Sequence, residues 1–140
     1  MAVLSKRAPE RELTRDEIQQ LIAGVASALN IANKRVLILI PDGTRTLPMP
    51  LMFRLLQEEV GTRASACDYL IALGTHQPMS EEQIGRLLGS PLVNGRCGSA
   101  RVFNHRWDLA ETFAPRWGNY CRSSAQHLWR AAFGSNPQQD

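Results

Sequence analysis

The sequence predicts an α/β domain, an open and mostly parallel β-sheet with flanking helices. Two stretches, 35–40 and 68–73, are continuously or nearly continuously apolar and too short to be helices of their own. Unbroken hydrophobicity of that length marks strands buried on both faces, as in parallel sheets. Segments with helical apolar spacing precede, separate and follow them, which gives the order α-β-α-β-α-β. The connections are short enough for right-handed βαβ crossovers.

Each element has its own signals. Residues 1–13 are polar and aperiodic and read as a loose N-terminal arm. Thr14-Arg15-Asp16-Glu17 is a capping box, in which hydroxyl and carboxylate satisfy orphan backbone donors reciprocally. Ile18, Leu21, Ile22, Val25 and Leu29 then form one stripe of a helix over 14–30, and Asn30 is a reasonable stop. The first strand, 35–40, ends abruptly in Pro41-Asp42-Gly43-Thr44-Arg45-Thr46. A second helix runs over 48–60 with Leu51, Met52, Leu55 and Leu56 inward. The strand at 68–73 stops at Gly74-Thr75-His76-Gln77. Ser80-Glu81-Glu82-Gln83 is a second capping box, opening a helix over 80–88 with Ile84, Leu87 and Leu88 inside. A third strand, 100–103, runs into Asn104-His105.

The domain so defined spans 14–113. Residues 114–140 lack both periodicities, apart from a turn or two of helix at Leu128–Phe133. That segment reads either as an irregular tail or as a foreign one, such as a shifted reading frame.

Composition narrows the function. A chain of 140 residues, 44% apolar and 21% charged, suits one globular domain and neither a disordered nor a fibrous protein. Its longest apolar run, Val36 to Pro41, is far short of the ~20 residues that span a membrane. No apolar stretch follows the basic residues of the N-terminus, so a secretory signal is not expected and the cytoplasm is. Net charge is +3 and the isoelectric point about 9.1. Yet residues 1–100 hold eleven Lys and Arg against ten Asp and Glu, with no basic cluster, so nucleic acid is not an expected partner. Cys67, Cys97 and Cys121 are odd in number and share no metal-ligand spacing.

Each strand ends in a polar cluster: Asp42, Thr44 and Arg45, then Thr75, His76 and Gln77, then Asn104 and His105. In a parallel sheet those ends line one edge, where open α/β sheets bind ligands. Pro-Asp-Gly-Thr is also ordinary turn chemistry. Arg45 adds a guanidinium able to clamp a carboxylate or phosphate in bidentate fashion. His76 is either a structural histidine or a general base, and His105 is a base, a ligand or a hydrogen-bonded prop, of which the prop is favoured. Neither a dinucleotide fingerprint nor a Walker A motif is present.

These motifs resemble the N-terminal domain of the nickel-dependent lactate racemase family. Pro41-Asp42-Gly43-Thr44-Arg45 carries part of the likeness. Ala72-Leu73-Gly74-Thr75-His76-Gln77-Pro78-Met79-Ser80-Glu81-Glu82-Gln83-Ile84 is the more specific part, followed by Leu88-Gly89 and Asn104-His105. The resemblance implies a racemase that interconverts D- and L-lactate, or a relative acting on other 2-hydroxy acids. It also implies a nickel-pincer nucleotide, which takes the α-hydride while a histidine takes the hydroxyl proton. Carried over, His76 would be an acid/base histidine and Arg45 the partner of the substrate carboxylate. Asp42 and Thr44 would line the cofactor or substrate pocket. The family's second acid/base histidine, cofactor-tethering lysine and nickel-ligating histidine are not matched, since the two lysines, Lys6 and Lys34, both precede the Asp42 loop. The resemblance therefore implies a partial site with no metal ligand, inactive alone. Separately, strands buried on both faces need more cover than this domain supplies, so self-association through uncovered apolar surface is expected. The alternative is a non-catalytic α/β module that binds a carboxylate or phosphate at the same edge.

Overall fold

The computed structural model describes residues 4–106. The expectations for 114–140, including Leu128–Phe133, lie outside them. Three helices, α1 (Arg15–Ala28), α2 (Met49–Leu56) and α3 (Glu81–Leu88), accompany four strands. The strands are β1 (Arg35–Pro41), β2 (Ala66–Ala72), β3 (Arg96–Cys97) and β4 (Ala100–Asn104). The sheet order is β1-β2-β4-β3, with β1 and β4 parallel to β2 and only β3 antiparallel.

Both capping boxes form as the sequence predicts. Thr14 accepts from the Glu17 N–H and Ser80 from the Gln83 N–H, while the Glu17 and Gln83 side chains reach back to the cap backbone. The arm meets α1 through Lys6 and Arg11, which pair with Glu17 at 3.1 and 2.8 Å. Instead of one helix over 48–60, α2 ends at Leu56 and widens into a π-helical turn, Gln57–Gly61. Gln57 there donates to the buried Tyr69 hydroxyl at 2.9 Å.

The short strand β3 is not among the expected elements. Asn94 and Gly95, with φ of 51° and 70°, make the tight turn that returns the chain from Val93 to Arg96. Two consecutive positive φ values are what a hairpin of this kind requires, and Asn-Gly is the dipeptide that supplies them.

All three helices pack on one face of the sheet. Val36, Ile38 and Ile40 of β1, Cys67, Tyr69 and Ile71 of β2, and Ala100 and Val102 of β4 share a core with Ala26, Phe53, Ile84 and Leu88. Central β2 is buried from Cys67 through Ile71. Edge strand β1 departs from the expectation of burial on both faces, for Leu39 is 66% exposed. Alternation turns Leu37 and Leu39 away from the helix layer, and neither belongs to the core that the three helices share. Among the described residues no helix is long and apolar enough to cross a membrane.

Candidate active site

Parallel pairing decides where the polar clusters lie. Pro41 is level with Ala72, and Ile71 with Asn104, so the chain leaves β1, β2 and β4 at one edge. The loop after β1 then carries Asp42, Thr44 and Arg45, and the loop after β2 carries His76.

Asp42 is the organising residue. It is 7% exposed, so its carboxylate needs partners, and it has three. The Thr44 hydroxyl and backbone N–H donate to Oδ1 at 2.6 and 3.2 Å, closing a turn of the Asp-x-Thr kind. The other oxygen, Oδ2, faces His76 Nδ1 at 2.5 Å. The hydrogen bond from Thr44, followed by that from His76, outweighs the cost of burial and holds the Asp42 carboxyl at about 2. Asp42 is therefore ionised near neutrality and can only accept, so Nδ1 carries the proton toward it. In neutral His76 the lone pair is left on Nε2.

His76 lies on a turn whose N–H returns to the Leu73 carbonyl at 3.0 Å. Gly74 opens that turn with φ of 59°, a conformation costly for residues with a Cβ. The histidine side chain is 57% exposed while that of Asp42 is 9% exposed, so a buried carboxylate backs an open ring.

Arg45 is exposed and its guanidinium makes no ion pair among the described residues. It borders a groove of about 480 Å³ shared with Asp42, Thr44, His76, Leu39 and Ala72. It also borders a neighbouring groove of about 450 Å³ that reaches Arg86 on α3. The edge thus presents a cation, a polarised imidazole and an apolar wall around one opening.

Of the sequence-derived candidates, Asp42, Thr44, Arg45 and His76 all border that groove. Asp42 and Thr44, which the resemblance would place along the cofactor or substrate pocket, also bond to each other and, through Asp42, to His76. His105, expected as a prop, contributes its backbone N–H to the Ile71 carbonyl at 3.0 Å. The amide beside it, on Asn104, does the propping by bonding the Met79 backbone twice.

A metal ion needs converging donors, and no group of three or more His, Cys, Asp or Glu gathers among the described residues. Asp42 and His76 do lie together, each engaged with the other. Among the described residues this edge therefore gathers no donor set for a nickel ion, and Arg45 is the cation that borders its groove.

Residues 2–114 match the lactate racemase N-terminal domain. Among solved structures, a crystal structure of a protein from Thermotoga maritima matches with a TM-score of 0.58 and 25% sequence identity. The likeness covers 71% of this chain and 23% of that one, so the chain spans under a quarter of that relative's length. No curated protein matches.

Proposed function

Because this chain belongs to the lactate racemase N-terminal domain family, we propose that its strand-end edge is part of a 2-hydroxy acid racemase site, with D- and L-lactate as substrates. Arg45 holds the substrate carboxylate through two parallel N–H···O bonds. The substrate hydroxyl meets His76 at Nε2. As the O–H bond breaks, its proton passes to that nitrogen, and the ionised Asp42 stabilises the imidazolium that results. Asp42 keeps its own charge throughout, as an orienting carboxylate behind a histidine does. On the return, the same nitrogen gives the proton back.

A racemase must also lift the α-hydrogen, and the family's nickel-pincer nucleotide supplies that hydride chemistry when bound. The described residues offer the metal no ligand set of their own. The part of the described residues is anion binding and one proton transfer.

The Asp42–His76 pair beside Arg45 is the observation that carries this reading. It also favours catalysis over a pure binding module, since gripping a carboxylate needs a cation but not a histidine locked in one tautomer. The test joins residues 1–113 to a family-type C-terminal half, supplies the nickel cofactor and follows D- to L-lactate conversion. His76→Ala is expected to lower kcat by roughly 10²–10⁴-fold with substrate binding largely kept. Full turnover by that variant would return His76 to a structural role and leave the binding-module reading standing.

A further inference from the structure

The loop that carries His76 is fastened at its far end by a side chain outside the acid/base pair and the anion clamp. Asn104, the last residue of β4, donates from Nδ2 to the Met79 carbonyl at 2.9 Å. Its Oδ1 accepts from the Met79 N–H at 3.1 Å. One side-chain amide thus meets both backbone groups of one residue, as a neighbouring strand would. Aspartate offers acceptors alone at neutral pH, and alanine offers neither group.

Asn104 is itself held in place. It lies level with Ile71 of β2, and the next residue, His105, extends the ladder by its N–H to the Ile71 carbonyl. Met79 leads directly into the Ser80 capping box of α3. The segment 73–79 is therefore tied at its start by the His76 N–H to Leu73 and at its finish by Asn104. Three strands converge on one imidazole: β1 delivers Asp42, β2 delivers the loop, and β4 delivers the clasp.

We infer that Asn104 is a positioning residue of this site, holding the His76 loop so that Nδ1 faces Asp42. It acts through the Met79 backbone and touches no ligand. The inference rests on the role proposed for His76 and deepens it. A geometric error of about 1 Å at a reacting group can cost on the order of 100-fold in rate, which gives such a clasp its importance.

The test reads the His76 ring in the 140-residue chain and needs no activity. Long-range ¹H–¹⁵N correlation spectra at about pH 8, where an ordinary imidazole is neutral, show which ring nitrogen carries the proton. The native chain is expected to show Nδ1–H. Asn104→Ala and Asn104→Asp are expected to show a mixture of tautomers, while the His105 amide in the β2–β4 ladder stays protected from exchange. If both variants keep the single native tautomer, Asn104 is only a structural tie and the inference fails, with the racemase reading untouched. If Asn104→Ala does not fold, Asn104→Asp decides alone. If neither folds, Asn104 is a tie of the core and the inference fails as well. A native chain already mixed between tautomers would remove the Asp42–His76 pairing itself, and with it the reading on which the inference rests.

Discussion

Two buried aspartates divide the labour of this sheet. Asp68 lies within β2, 2% exposed, and takes three bonds from Arg101 of β4: the backbone N–H at 3.0 Å, Nε at 3.2 Å and a terminal nitrogen at 2.6 Å. Asp42 lies at the strand end and takes Thr44 and His76. What differs is the partner. A guanidinium is a permanent cation with donors only, and that of Arg101, on a side chain only 23% exposed, rests over the Phe103 ring at 5.6 Å. The His76 imidazole, unlike a guanidinium, has a ring nitrogen that can accept as well as donate, and its side chain is 57% exposed beside the groove. A carboxylate facing a permanent, half-buried cation staples strands together. The same carboxylate behind an exposed imidazole is what the proposed general base at His76 requires.

Substitutions should separate the two roles. Asp68→Ala removes the buried carboxylate that takes three bonds from Arg101 and is expected to destabilise the fold most, by about 3–5 kcal/mol, read from the urea midpoint. If the midpoint hardly moves, Asp68 is no staple. Arg45→Lys keeps a positive charge and loses the planar fork, so 2-hydroxy acid binding should weaken by about 1–3 kcal/mol in titration calorimetry, with stability unchanged. Unaltered affinity would take the anion clamp away from Arg45. Gly74→Ala meets no neighbouring atom but must hold φ of 59°, and a loss of about 1 kcal/mol is expected. A neutral result would show that the His76 turn readily adopts another backbone.

The smallest effect is acid dependence. Asp42 sits at about 2 against an ordinary 3.8, so the unfolded chain binds the proton more tightly. Its stabilising contribution is complete above about 4 and disappears as pH falls toward 2. Glu17 is also held low, first by its hydrogen bond from Arg11 and then by the Thr14 backbone and Lys6. Asp42→Asn should therefore remove part of the slope of stability against pH in that window, and Asp42→Asn with Glu17→Gln more of it. An unchanged slope in Asp42→Asn would mean that His76 and Thr44 do not hold the carboxylate in solution.

How much of this can be read from sequence depends on the range of the interaction. Both capping boxes and the strands at 35–41 and 66–72 leave local signals, and they are legible. So is the edge, because the same parallel pairing that explains the apolar runs brings strand ends together. The limit comes where contacts cross the sheet. Asp42 and His76 are 34 positions apart, and nothing local says that one carboxylate oxygen turns from Thr44 toward a ring. The Asn104 clasp joins a side chain to a backbone, which no residue pattern records. Sequence overstates the burial of β1 because a continuous apolar run does not say whether one helix layer or two will cover it. Strand β3 does leave a signal in Asn94-Gly95, but two residues are too few to show a period.

The central claim is that Asp42 and His76 act as one unit. A double-mutant cycle tests it in the completed racemase, comparing Asp42→Asn, His76→Ala and the two combined by kcat. If the carboxylate works only through the imidazole, Asp42→Asn lowers kcat by itself and adds nothing once His76 is gone, so the double variant equals His76→Ala. If the two losses multiply instead, Asp42 acts on the reaction independently of His76, and the pair is not a unit.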